Sequence, residues 1–140
     1  MTKNFEIIGS FIKDMSSETP DTQAYIFVRE NISKYQLNID INSKAIKDKI
    51  IEVNTIIKFA DAKENKKKAY FEIIYTSIVK VEEKIVDKKS IEKIILCDVP
   101  NEIYPQLEKI FINLLNDSGY PGIKFDKKID FIQLYKEKSN

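Results

Sequence analysis

The stretch that decides the fold runs from Ile50 to Val81 and reads IIEVNTIIKFADAKENKKKAYFEIIYTSIVKV. Apolar, β-branched and aromatic residues recur at alternate positions on both sides of a polar connector, Asp61–Lys68. This alternation places one set of side chains on one face of a strand, and β-branched residues favour strands. The stretch therefore predicts an antiparallel hairpin of two strands, Ile50–Ala60 and Ala69–Val81.

Two further strands precede this hairpin. Tyr35–Asn42 alternates strictly between apolar and polar residues, which predicts a half-buried strand. The opening segment, Phe5–Ser16, is also strand-like, and the polar region Ser16–Asp21, which contains Pro20, ends it. The sequence thus predicts four antiparallel strands with one polar face.

The hydrophobic period changes after the strands. Apolar residues at spacings of three and four, from Tyr104 to Leu115, predict an amphipathic helix with Asn101 as its N-cap and Gly119 as its C-cap. A shorter helix is predicted from Ser90, and another after Lys128 that buries Ile129, Tyr135 and either Phe131 or Ile132. We expect a single α+β domain over residues 1–140, a four-stranded antiparallel sheet with helices packed on one face.

Composition removes several classes of function. The 140 residues contain 23 Lys+Arg and 22 Asp+Glu, and the net charge of +1 gives no overall field for nucleic acid or anionic lipid. The absence of histidine excludes Ser-His-Asp and Cys-His catalysis and histidine metal sites. The chain also lacks the glycine-rich motifs that cradle phosphates. We therefore expect neither an enzyme nor a cofactor or metal site.

The single cysteine, Cys97, fits a reducing compartment, because it has no intrachain disulfide partner. It follows an apolar run and is expected to be a buried, protonated, structural thiol. No apolar run reaches the roughly 20 residues of a membrane span, and the first residues do not resemble an export signal. A cytoplasmic protein without membrane insertion is expected.

The connector holds one run of basic residues, Lys63–Lys68. It lacks arginine and interleaved aromatic residues, which specific nucleic-acid recognition favours. A lysine-rich hairpin tip that deters edge-to-edge aggregation is the preferred interpretation, and no nucleic-acid partner is expected.

The order of several short blocks resembles the SecB family of bacterial export chaperones over nearly the whole chain. No single block is specific, and the resemblance rests on their order and spacing. In chain order the blocks are Phe5–Ile7, Phe11–Pro20 (FIKDMSSETP), Leu37–Asp40, Glu52–Val53, Tyr70–Ile73, Val99–Pro100, Tyr104–Pro105, Gly119–Pro121 and Ile129–Tyr135 (IDFIQLY).

The resemblance implies a homotetramer, organised as a dimer of dimers, that holds unfolded precursor polypeptides without ATP and delivers them to the SecA motor ATPase. In the family, acidic side chains on the exposed sheet face dock the motor, and the matching residues here are Asp14, Glu18 and Glu72. Clients lie in apolar grooves between sheet and helices. By position, this groove neighbourhood contains Tyr35, Leu37, Ile39 and Tyr135.

Other interpretations of the same residues remain open at this stage. Taken alone, the three carboxylates are an ordinary solvated surface, and aromatic residues such as Tyr35 are as readily core as groove. A dedicated partner-binding chaperone of the same fold, of the antitoxin-associated type, is the alternative function. A small-ligand or enzymatic α+β domain is a third. Retarded refolding of unrelated proteins would separate the first function from the second.

Overall fold

Within residues 4–61, 69–123 and 129–139, which the computed structural model describes, four antiparallel strands form one sheet. Their order across the sheet is β1-β4-β3-β2, so β1 and β2 are the edge strands. The strands are β1 (Phe5–Glu18), β2 (Tyr35–Lys47), β3 (Ile50–Asp61) and β4 (Tyr70–Val81). The predicted antiparallel hairpin of β3 and β4 is confirmed, and β2 continues to Lys47 instead of ending at Asn42. The predicted Lys63–Lys68 hairpin tip lies outside the described residues.

The register divides the sheet into two faces. Ile57 pairs with Ile73 and Phe59 with Phe71, so the odd-numbered residues of β3 and β4 share one face. These residues are mostly buried under the helices. We call this side the helix face and the opposite side the open face. The arrangement confirms the predicted α+β class, with helices on one face of the sheet.

Helix α1 (Thr22–Asn31) and a 3₁₀ turn (Ile32–Lys34) connect β1 to β2 and were not predicted. The side chain of Asp21 caps α1 by accepting a hydrogen bond of 2.7 Å from the backbone N–H of Ala24. Ala24 and Val28 are the buried residues of the helix. The polar segment that was expected only to end β1 therefore also starts a helix.

Helix α2 (Lys88–Lys93) continues through a π-helical turn (Ile94–Asp98) into α3 (Val99–Asp117). The predicted N-cap at Asn101 is wrong, because the chain is already helical there and Asp87 caps the start of α2. Gly119 ends α3 as predicted, but the C-cap residue itself is Ser118, one position earlier. Gly119 has a φ of +101°, and the N–H of Tyr120 donates to the carbonyl of Leu115 at 2.9 Å.

Helix α4 (Phe131–Ser139) follows the last gap in the described residues. Asp130 accepts a hydrogen bond from the N–H of Gln133 at 3.1 Å and so caps its first turn. Of the two alternatives for its buried residue, the structure selects Phe131, which is 1% exposed, while Ile132 is 52% exposed.

The main core lies between the helix face and helices α1, α3 and α4. Aromatic rings fill much of it: the ring centroids of Phe59 and Phe111 lie 5.4 Å apart in an edge-to-face arrangement. Cys97 is buried, as predicted, and burial raises the pKa of its thiol. In the described part of the chain, no helix is long and apolar enough to span a bilayer.

Candidate functional site

An open groove runs between edge strand β2 and helix α4, and we call it the β2–α4 groove. Its volume is about 790 Å³. It is lined by Leu37, Asn38, Ile39, Ile129, Asp130, Gln133, Leu134 and Glu137. Apolar side chains from strand and helix thus share a solvent-open depression with polar and acidic ones.

The groove reaches the strand's own backbone. Leu37, Asn38 and Ile39 are consecutive, and consecutive strand residues point to opposite faces. All three nevertheless line the same groove, which therefore wraps around the outer edge of β2. Within the described ranges β2 pairs with β3 alone, so this edge is the one at which its backbone groups have no neighbouring strand.

A narrow cleft adjoins the groove at Ile39 and Leu134, which line both. Its other lining residues are Ile41, Leu96 and Tyr135, and its volume is about 30 Å³. Leu96 comes from the π-helical turn between α2 and α3. The cleft extends the apolar surface of the groove toward that turn.

The structure brings together three of the four residues expected in the client groove. Leu37, Ile39 and Tyr135 are all half-buried and line the groove or its adjoining cleft. Tyr35 differs, because it is 7% exposed and belongs to the core. Its ring centroid lies 5.2 Å from that of Phe59, and its hydroxyl donates to the carbonyl of Ala69.

Burial is the largest cause that raises the pKa of Tyr35 to about 12, with further contributions from Tyr120 and Asp61. The strict alternation of β2 gave Tyr35 the same face as Leu37 and Ile39, but it could not show how deeply each position is covered. Tyr35, the first residue of β2, is a core residue and does not line the groove.

Sequence reasoning left out several groove residues. Ile41 shares the alternating face of β2, so the signal for it was present. Leu134 and Gln133 required the orientation of α4 against β2, and Leu96 required the π-helical turn. Neither of these two features leaves a clear mark in the hydrophobic period.

The open face carries a second candidate surface, made by Asp14, Glu18 and Glu72, which we call the acidic end. Residues 14, 16 and 18 of β1 share one face, and Ser16 pairs directly with Glu72 of β4. Glu72 is therefore flanked diagonally by Asp14 and Glu18. Asp14 and Glu18 are exposed and Glu72 is half-buried, so the structure assembles the three predicted carboxylates on one surface.

The neighbouring strands add charge of both signs to this surface. On the other side of Glu72, the exposed residue Lys58 of β3 is its direct cross-strand partner. Asp40 of β2 pairs with Ile56 and so lies diagonally from Lys58. Among the residues that the structure describes, the open face here presents four carboxylates around one ammonium group.

The centre of the open face holds a buried polar row. Thr76 donates a hydrogen bond of 2.6 Å to the side-chain carbonyl of Asn54, whose amide group donates to Asn42 at 2.9 Å and to Glu52 at 3.1 Å. The hydrogen bond from Asn54 is the largest cause that lowers the pKa of Glu52, and Lys13, 3.6 Å away, lowers it further. This row separates the acidic end from the rest of the open face.

Comparison with known proteins decides the family. The family model described as preprotein translocase subunit SecB matches residues 1–140. The chain belongs to the SecB family. The resemblance in the sequence blocks is thereby confirmed.

Individual SecB relatives support this membership. The chain is 74% identical over its full length to a Pelagibacter ubique protein described as protein-export protein SecB, and it covers 100% of that protein. It is 28% identical to the protein-export protein SecB of Ruegeria pomeroyi, with 93% of this chain and 78% of the relative covered. SecB proteins are protein-export chaperones, so the chain falls in a non-enzymatic class.

The fold also matches that of a solved SecB-like protein. A SecB-like chaperone of Mycobacterium tuberculosis, solved in complex with a ChAD peptide from an antitoxin, superposes with a TM-score of 0.66 at 8% identity. The superposition covers 90% of this chain and 88% of the other. This likeness shows that the SecB-like fold is shared.

Proposed function

We propose that this SecB-family chain is an ATP-independent holdase of the bacterial cytoplasm that keeps secretory precursors unfolded and delivers them to the SecA motor. The observation that carries the proposal is the β2–α4 groove. It presents apolar side chains and the outer edge of β2, which pairs with no other described strand, to solvent in one continuous depression. A folded client hides both kinds of group, whereas an unfolded client exposes both.

The groove chemistry suits many clients. Leu37, Ile39, Ile129 and Leu134 offer apolar contacts that depend little on client sequence. The edge of β2 offers main-chain hydrogen bonds, which every client backbone can accept or donate. Binding the unfolded client displaces its folding equilibrium by mass action, so retention requires no nucleotide.

The acidic end supports the delivery step. Asp14, Glu18 and Glu72 share the open face, on the side of the sheet away from the helices. A basic segment of the motor would be steered to this face by charge complementarity, more weakly as salt rises. The apolar groove residues and the three carboxylates would thus offer client and motor separate surfaces, which permits transfer from a complex that contains all three.

A homotetramer, organised as a dimer of dimers, is part of the same proposal. Edge strand β1 exposes Ile8, Phe11, Ile12 and Met15 by 42–57%, and α1 exposes Ile26 and Phe27 by 51% and 40%. Exposed apolar residues on an edge strand and on the helix that follows it favour burial against further copies of the chain.

A dedicated-partner chaperone is the second candidate, and one observation favours it. The Mycobacterium tuberculosis protein that shares this fold was solved with a peptide from an antitoxin. The same groove can bind one particular partner segment if polar residues of its lining select the side chains of that segment. Asp130, Gln133 and Glu137 are the residues that would do so here.

The experiment that tests the holdase proposal separates the two surfaces. Ile39→Glu places a charge in the groove, and Ser43→Glu places the same charge at an exposed position of β2 outside it. We expect Ile39→Glu to abolish most client capture and Ser43→Glu to leave it intact, with both variants binding SecA normally. Circular dichroism confirms that each variant is folded.

The reciprocal variants are Asp14→Lys and Glu72→Lys, which invert charge at the acidic end. They should impair SecA binding and leave client capture intact. Equal loss of both activities in the Ile39 and Glu72 variants would contradict the division between groove and acidic end.

A further inference from the structure

We propose that Lys58 attenuates the binding of a basic partner at the acidic end, because the strand register sets its positive charge beside Glu72 and Asp40, where it opposes the charge of the partner. The inference rests on the proposed function, in which this end docks a basic segment of the motor. It adds a residue that works against docking. Such a residue sets the affinity and the salt dependence of the complex.

The first step of the argument is the register of β3 on β4. Lys58 is paired directly with Glu72, without a bulge or shift between these strands. Directly opposite residues have Cβ atoms about 4.5–5.5 Å apart on the same face. The flexible lysine side chain therefore shares the open face with Glu72 and needs no change of backbone to reach its carboxylate.

The second step is the position of Lys58 within the whole charge pattern. Asp14 and Glu18 lie beyond Glu72 on β1, and Asp40 lies on β2 at the other side of Lys58. Lys58 is thus placed between carboxylates on both sides. Asp14 and Glu18, the most distant of these groups, are two strands across and two residues along from Lys58, or about 12 Å from backbone to backbone, comparable with the Debye length of about 10 Å at 0.1 M salt.

The third step is exposure. Lys58 is exposed, so its ammonium group remains hydrated and free to move away when a stronger cationic ligand arrives. A cationic partner must compete with it for Glu72 and is also repelled by it. Removing this charge should therefore tighten docking without creating any new contact.

The chain offers a matched control in Lys80. It is exposed, lies on β4 at an even-numbered position like Glu72, and therefore shares the open face. At about 3.4 Å per residue it is roughly 27 Å from Glu72 along the strand, which is well beyond the Debye length. Lys58→Gln and Lys80→Gln change the net charge equally, so only the local effect differs.

The test is titration of each variant with purified SecA of the same organism, at about 0.1 M and about 1 M salt. We expect Lys58→Gln to lower the dissociation constant by about two- to fivefold at the lower salt, the range for one exposed charge interaction. The gain should vanish at the higher salt, and Lys80→Gln should bind like the wild type. In a Glu72→Gln background, the gain from Lys58→Gln should shrink, since part of it comes from Glu72.

Three outcomes would overturn the proposal, and they are distinguishable. If Glu72→Gln weakens binding while Lys58→Gln leaves it unchanged or weakens it, the attenuating role of Lys58 is overturned and the docking surface stands. If Glu72→Gln has no effect on SecA binding, the acidic end is not the docking surface and the inference falls with it. An equal gain in Lys58→Gln and Lys80→Gln would reduce the effect to net charge and also overturn the proposal.

Discussion

Asn54 shows how one side chain ties three strands together. Asn54 is 6% exposed, and its side-chain amide is hydrogen-bonded to Thr76 on β4, Asn42 on β2 and Glu52 on its own strand. The predicted polar face is only partly polar, because β3 and β4 also carry apolar residues there, such as the paired Ile56 and Ile74. The hydrophobic pattern alone therefore specifies the register of these strands weakly. The buried polar row adds hydrogen bonds that a shifted strand register would leave unmade.

Replacing this amide should cost stability. We expect Asn54→Ala to lower the free energy of unfolding by about 1–3 kcal/mol, because it leaves the buried hydroxyl of Thr76 without its acceptor. Asn38→Ala, at an exposed position of β2, should change it by less than about 0.5 kcal/mol. Urea unfolding at fixed protein concentration measures both, and equal effects would contradict the role of the polar row.

Because two buried tyrosines have raised pKa values, we expect the free energy of unfolding to fall at alkaline pH. Burial is the largest cause that raises the pKa of Tyr35 and that of Tyr104, each to about 12 from an ordinary value of 10. Between these values the unfolded chain loses protons that the folded chain retains. Stability therefore falls as pH rises from about 10 to about 12, and neither group contributes a slope well below pH 10.

The variant Tyr104→Phe isolates one of these contributions. Its unfolding midpoint should fall less steeply over that pH range than that of the wild type, while the slope below pH 9 stays unchanged. Urea titrations at several pH values measure the slopes, and parallel curves for the two proteins would contradict the assignment.

At the scale of elements, hydrogen bonds link the end of α3 to α1 and to the end of β1. The hydroxyl of Tyr25 donates to the carbonyl of Gly119 at 2.8 Å, and the hydroxyls of Ser17 and Ser118 are 2.7 Å apart. A Cβ on Gly119 would lie 2.7 Å from Cε1 of Tyr25. The glycine is thus needed both for its positive φ and for the close approach of α1.

Two glycines separate these effects. Gly119→Ala should destabilise the protein by the roughly 1–2 kcal/mol of a left-handed residue plus the cost of the contact with Tyr25. Gly122 has a φ of +83°, and a Cβ added there would meet no atom within 4 Å. Gly122→Ala should therefore show only the destabilisation that comes from the positive φ. Thermal unfolding of the two variants compares them, and a Gly122 variant as unstable as the Gly119 variant would contradict the close-approach argument.

The elements differ in how well the sequence predicts them. The strands follow from alternation, and α3 from its spacing of three and four. Helix α1 was missed because Ala24–Val28 is an uninterrupted apolar and aromatic run that shows no helical period. The Asn101 cap was wrong because the π-helical turn at Ile94–Asp98 lets the preceding helix continue past it.

At the scale of the whole molecule, the sequence predicts those site residues that a motif or the alternation of a single strand identifies. Asp14, Glu18 and Glu72 came from motif positions, and the strand register then placed them together. The groove depends on where α4 lies against β2, which is a tertiary feature. Sequence therefore supplied Leu37 and Ile39 but missed Leu134 and Leu96, and it could not show that Tyr35 is covered.

The exposed apolar residues of β1 and α1 lead to a prediction about assembly. We expect light scattering at micromolar concentration to give the mass of a tetramer, and Ile12→Lys to yield a smaller species by charging the edge strand. Val86→Lys, at a residue 75% exposed in the segment before α2, is the control and should remain tetrameric. A wild-type monomer at this concentration would contradict the proposed assembly.

The central claim is that the groove holds unfolded clients generally and without nucleotide. The most direct measurement is the refolding of two unrelated denatured proteins with and without a stoichiometric amount of this chain, with ATP absent, followed by sizing of the mixture. We expect both clients to refold more slowly and to comigrate with a tetramer-sized species. Unchanged refolding of both would contradict the holdase account and leave a dedicated partner as the better explanation of the groove.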